Sequence, residues 1–156
     1  MEDTHFSLPL AAQAWPQFPL SPGPMAGFEY RMNSIDTLAP VLGEDTLRRL
    51  VAAFYRRVRE DDLIGPMYPP DDWSGSEKRL ADFLIYRFGG TPTYLEERGH
   101  PRLRARHFPF AIGPTERDRW LALMAAAMQE TGLPEEAGSA MGQFFAQVAE
   151  SMRNRE

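Results

Sequence analysis

From residue 44 onward the apolar side chains recur every three or four positions, a spacing that predicts helices rather than strands. In EDTLRRLVAAFYRRVRE, residues 44–60, the stripe is Leu47, Leu50, Val51, Phe54, Tyr55 and Val58. Asp61-Asp62 and then Gly65-Pro66 stop it, and a loop, MYPPDDW, carries Tyr68. Ser74 stands three residues before Glu77, the spacing of a capping box, and predicts a helix over 75–88. Its expected inward stripe is Ser76, Leu80, Phe83, Leu84 and Arg87, and Gly89-Gly90 can supply the positive φ of a C-cap. Residues 91–100 read as a linker around a short turn, and Pro101 and Pro109 frame a brief helix, RLRARHF. Gly113-Pro114 precede a long helix over 115–130 with Trp120, Leu123, Met124, Ala127 and Met128 on its stripe, ended by Gly132. Pro134 opens the last helix, whose apolar face is Ala137, Met141, Phe144, Phe145, Val148 and Met152. No useful β-alternation and no internal repeat occur. The pattern predicts an all-α chain of four substantial helices paired in sequence around one short helix.

Residues 1–28 follow another rule. They hold Pro9, Pro16, Pro19, Pro22 and Pro24 with no helical stripe, and each proline removes an amide donor. The stretch reads as a flexible or extended tail, separate from a domain over 29–156, and is either inert or anchored by Trp15 and Phe18 on the domain or on a partner. At 156 residues with 43 % hydrophobic content the chain can bury a real core. The net charge of -5 gives no overall attraction to nucleic acid or an anionic membrane. The absence of cysteine removes disulfides, thiolate nucleophiles and zinc–thiolate sites. There is no basic leader and no apolar run long enough to span a bilayer, so the expectation is a cytoplasmic, soluble protein.

The most distinctive stretch is GHPRLRARHFPF, residues 99–110. In a helix over 101–108, Leu103 and His107 share one face and Arg102 and Arg106 another. An imidazole on an apolar ridge, flanked by guanidinium groups, suits an iron ligand beside cations for the two propionates of a haem. A basic surface turn is the plain alternative. His100 lies in a Gly-His-Pro turn, and His5 lies in the tail. Tyr55, Tyr68 and Trp120 each have a polar tip that needs a partner when buried. They are either ordinary core residues or donors converging on one cavity, where Leu80, Phe83 and Met124 would make an apolar wall.

FYRRVREDD (54–62), MYPPDDWSGSEKRLADFLIYRFGG (67–90), TYLEERGHPRLRARHFPF (93–110) and ERDRWLALM (116–124) together resemble the group II truncated haemoglobins, over residues 38–152. The resemblance implies a two-on-two helical sandwich holding haem b, with His107 as the iron ligand and Tyr55, Tyr68 and Trp120 as distal donors. It implies Leu80 and Phe83 as distal walls, and Arg79, Arg106 and Tyr94 as residues reaching the propionates. Ser76 falls where larger globins often carry a distal histidine. The implied ligands are dioxygen, nitric oxide, carbon monoxide or peroxide. The implied use is redox chemistry, such as nitric oxide dioxygenation or peroxide reduction, rather than oxygen delivery, with a separate reductase and a monomer or homodimer as the working form. A sensor or interaction module is the competing class, against which stands the lack of an output domain. Nucleic-acid binding through Arg98, Arg102, Arg104 and Arg106 is opposed by the acidic balance and by the lack of a stacking platform. Two departures from the family pattern are the proline-rich extension and Pro40 in a short first helix.

Overall fold

The computed structural model describes residues 35–156, and the expectations for the proline-rich tail, with Trp15, Phe18 and His5, lie outside them. A 3-10 turn at Ile35–Thr37 leads into α1 (Leu38–Leu42) and α2 (Glu44–Glu60). A second 3-10 turn, Gly65–Met67, precedes α3 (Trp73–Arg87), and the short helices α4 (Thr93–Arg98) and α5 (Leu103–His107) follow. The chain closes with α6 (Pro114–Thr131) and α7 (Glu135–Met152). No strand occurs among the described residues. The helix α2 packs on both α6 and α3, and α6 packs on α7, so two long pairs lie against each other in a two-on-two helical sandwich. No helix among the described residues is long and apolar enough to cross a membrane.

The predicted stripes meet in one core. All six stripe residues of α2 are buried, and Leu84, Phe88, Met124, Met141 and Phe145 complete the centre. Each such side chain contributes about 1.5–3 kcal/mol of transfer free energy, so α2, buried along its length, is the spine of the molecule. Arg56 and Arg57 both pair with Glu130 and fasten α2 to the far end of α6. Pro40 is harmless because it sits in the first turn of α1, where its missing amide has no intrahelical partner to lose. Gly89 has φ +86°, and a Cβ there would lie 1.7 Å from the Asp36 carbonyl oxygen. That close approach lets the end of α3 sit on the opening 3-10 turn, where the Ala39 amide donates to the Phe88 carbonyl at 2.9 Å.

Four local expectations change. The capping box at Ser74 and Glu77 does not form, because α3 begins at Trp73 and Ser74 is already inside it. The Trp73 ring stacks on Tyr68 at 5.7 Å, which carries the chain into the helix early. Arg87 leaves the expected inward stripe; it pairs with Asp36 at 2.9 Å and lies over the Phe144 ring at 5.5 Å. Within the 91–100 linker stands the helix α4, anchored by Tyr94, which is buried edge-on against Phe83 at 5.5 Å. The brief helix is shorter than 101–108, since Arg102 precedes it in a left-handed conformation, φ 45° and ψ 48°.

Candidate functional site

A cavity of about 380 Å³ lies where the two helix pairs separate, within the range of small-molecule and cofactor sites. Nine sequence-predicted site residues, Tyr55, Tyr68, Arg79, Leu80, Phe83, Tyr94, Arg106, His107 and Trp120, all line it. The wall adds Arg98, Leu103, Phe110, Ile112 and Arg117, together with the aromatic and aliphatic face of α7.

His107 enters from the last residue of α5 and is half-buried. Its Nδ1 lies 2.7 Å from the Leu103 carbonyl oxygen, one helical turn back. A carbonyl can only accept, so Nδ1 carries a proton, and in the neutral imidazole Nε2 then has the lone pair that a metal requires. Leu103 and His107 therefore share the cavity face, as their spacing predicts. Beyond α5 the chain is held by residues that follow α7. The Asn154 side chain accepts from the Ile112 amide at 2.9 Å and donates to the Phe110 carbonyl at 2.8 Å. The backbone amides of Asn154 and Arg155 both donate to the Ile112 carbonyl, at 2.9 and 3.1 Å.

The opposite wall carries the polar tips. Tyr55 is 4 % exposed, and burial pushes its phenol well above the ordinary tyrosine range, with the neighbouring Tyr68 adding to the shift. Burial pushes the Tyr68 phenol up to about 12, while its hydrogen-bond partner Trp120 acts in the opposite direction. Both phenols stay protonated at any physiological pH and remain donors. The two tyrosine rings meet edge to face at 5.6 Å, and Trp120 is wedged between Phe54 at 5.1 Å and Phe145 at 5.6 Å.

The loop bearing Tyr68 is positioned by Asp61. Its Oδ1 accepts from the amides of Leu63 at 3.0 Å and Ile64 at 2.9 Å, and its Oδ2 pairs with Arg119, the residue before Trp120. Desolvation alone would raise the Asp61 carboxyl, but the Ile64 amide, Arg119 and Leu63 together hold it below the usual carboxylate range. Gly65 then lets the turn close, since a Cβ there would sit 2.7 Å from the Val58 carbonyl oxygen. One carboxylate thus fixes two of the polar tips relative to each other.

The rim is cationic. Arg79 bonds Ser76 Oγ at 3.1 Å and Asp72 at 2.9 Å. Arg106 folds over the preceding turn, its Nε donating to the Pro101 carbonyl at 2.7 Å. Sequence reasoning missed Arg117, which is 7 % exposed, lines the cavity and pairs with Asp118 and Glu150. Nothing distinguishes it within the charged run ERDR. Asn154 was equally hidden in the polar ending MRNRE.

No group of three or more histidine, aspartate or glutamate side chains able to hold a metal ion occurs among the described residues. Among the described residues a metal held by protein side chains alone has no such ligand set, whereas a metal carried in a macrocycle needs a single protein ligand. One imidazole with a free nitrogen, apolar walls, and guanidinium groups at the rim fit a haem with its two carboxylates.

Residues 39–154 match the sequence profile of the bacterial-like globins. A group 2 truncated haemoglobin, YjbI, of Bacillus subtilis is 43 % identical over 95 residues, covering 61 % of this chain and 71 % of the relative. A group 2 truncated haemoglobin of Lotus japonicus is 31 % identical over 119 residues, covering 69 % of this chain and 66 % of its own. The crystal structure of a haemoglobin from Chloroflexus aurantiacus superposes with a TM-score of 0.74 at 47 % identity, over 76 % of this chain and 98 % of that one. Helical sandwich, cavity and sequence agree, and the chain belongs to the bacterial-like globin family, among the group II truncated haemoglobins.

Proposed function

We propose that the chain holds haem b on His107 and uses it for redox chemistry on diatomic ligands, nitric oxide dioxygenation first, rather than for oxygen delivery. The coarser part is a property of the family, since globins bind gas ligands such as dioxygen on a haem. The finer part rests chiefly on one observation: Tyr55, Tyr68 and Trp120 line the same cavity as an imidazole whose Nδ1 is already engaged.

When bound, the haem supplies a reducible iron that takes a diatomic ligand. The Leu103 carbonyl fixes the His107 tautomer and ring plane, so Nε2 is the nitrogen offered to the metal. Arg79 and Arg106, with Tyr94, neutralise and orient the propionates. Leu80 and Phe83 exclude water. Tyr55, Tyr68 and Trp120 place neutral donors where partial negative charge develops on a ligand, and a donor in a dry site is worth more than in water. Donors of that kind slow the loss of dioxygen, which suits a protein that reacts with it in place. Peroxide reduction uses the same residues, and a sensor role would need an output partner.

The test is to mix the oxygenated protein anaerobically with one equivalent of nitric oxide and to assay nitrate. Stoichiometric nitrate within the mixing time of a stopped-flow instrument is expected. Release of intact dioxygen and nitric oxide without nitrate would refute the dioxygenase reading.

A further inference from the structure

The cavity does not account for the whole of GHPRLRARHFPF. Arg102, Arg104 and Phe108 lie outside its wall. Arg104 and Phe108 are four residues apart on the outward side of α5, and Phe108 continues the helical backbone at φ -55° and ψ -36°. Phe108 is 74 % exposed, the most exposed large hydrophobic residue among those described. Arg98, Arg102 and Arg104 are exposed, and their guanidinium groups have no ion pair or hydrogen bond among the described residues. Elsewhere the basic side chains mostly hold carboxylates, as Arg48 does with Asp82, Arg57 with Glu130 and Arg119 with Asp61. No acidic residue occurs between Arg98 and Glu116. On a chain of net charge -5 this is a cluster of three guanidinium groups without a carboxylate partner, bordered on one side by Glu96 and Glu97.

The cluster also has a fixed shape. Arg102 is the one non-glycine residue with positive φ among those described, a conformation that costs about 1–3 kcal/mol and persists where neighbours impose it. Here the Arg102 amide donates to His100 Nδ1 at 3.2 Å, and Arg106 spans the turn to the carbonyls of Pro101 at 2.7 Å and Arg98 at 3.3 Å. An exposed aromatic beside arginines on a fixed backbone has the composition of an interface centre. Arg98 and Arg106 line the cavity as well, so the surface abuts the wall that carries His107.

We infer that this surface docks a small acidic electron-carrier protein, an inference that rests on the redox function proposed above. Charge complementarity selects the partner. A compact acidic patch matches the cluster in size, whereas an extended anionic surface, membrane or duplex, would also face the acidic remainder of the chain. In the docked pair the carrier is oxidised by one electron and the ferric haem is reduced by one. No bond is made or broken between the two proteins.

The probe is flavodoxin, an acidic one-electron carrier, with the full-length protein. Binding of oxidised flavodoxin is measured by calorimetry, and reduction by reduced flavodoxin is followed under carbon monoxide. Arg102→Glu/Arg104→Glu and Phe108→Ser are compared with a distant control, Arg49→Glu. About tenfold losses of affinity and rate are expected in the double variant, smaller losses in Phe108→Ser, and a steep fall with salt, with dithionite reduction unchanged in all. A flavodoxin rate that ignores salt and survives the double substitution overturns the inference. So does binding to vesicles of about 30 % anionic lipid, or to a duplex of about 20 base pairs, that is lost in the double variant while flavodoxin kinetics hold. The binding measurement needs no cofactor. A chain that bound flavodoxin through these arginines but gave no carbon monoxide spectrum would therefore overturn the proposed function and leave the docking surface standing.

Discussion

Trp120 joins the hydrophobic core to the polar side of the cavity. Its ring is held by Phe54 and Phe145, and its polar tip meets Tyr68 at the cavity wall. Replacing it with phenylalanine keeps the packing and deletes one donor. A neutral hydrogen bond is worth about 0.5–1.5 kcal/mol net, and a donor in a water-excluded site more, so dioxygen loss from Trp120→Phe should accelerate about tenfold. A stopped-flow off-rate within twofold of the parent would show that Tyr55 and Tyr68 suffice. The places of His107, Tyr55 and Trp120 on the cavity wall were legible in the sequence because helical spacing puts them on inward faces. Tyr68 and Asn154 were not legible in the same way. Tyr68 is placed by a loop that Asp61 and Gly65 shape, and the Asn154 contact spans from the end of the chain to the segment after α5, a separation no local pattern encodes.

At the level of elements, the two linkers on either side of the cavity carry the precision of the site. Asp61 ties the Tyr68 loop to α6 as an ionised carboxylate. Its folded pKa is depressed, so its contribution to stability is present above the ordinary value of about 3.9 and is lost as the pH falls through the folded value. Asp61→Asn should therefore be less stable than the parent at about pH 6, and the difference should shrink toward about pH 3; denaturant melts at the two pH values check it. A difference that stays constant would remove the ionic role. On the other side, Asn154→Ala should cost about 1–2 kcal/mol and hasten transfer of haem to an acceptor apoglobin, because the segment following His107 loses its side-chain clamp. Unchanged haem transfer would confine Asn154 to the chain end. The long helices were predicted to within a residue or two because each buries an extended stripe. The short helix α4 escaped because six residues offer one anchor, Tyr94, and no period to detect.

In the molecule as a whole both helix pairs contribute to the wall of the cavity. The spine α2 and its partners α3 and α6 bring the polar tips and the apolar wall, while α5, α6 and α7 close the opposite side around His107. A two-on-two arrangement leaves the cavity between the pairs, and the arginine-rich turn stands at its edge. Patterning foretold the all-α class, and the order of motifs foretold the family, but neither singled out Arg104 and Phe108 as an exposed pair outside the cavity wall. Everything proposed for this cavity depends on its being a haem site organised by His107. The most direct measurement is the visible absorption spectrum of the purified protein, reduced with dithionite under carbon monoxide, for the parent and for His107→Ala. A haem held by His107 gives an intense Soret band that shifts with carbon monoxide in the parent and is lost or unstable in the variant. No Soret band in the parent even after haem is added, or an identical spectrum in both proteins, would contradict it.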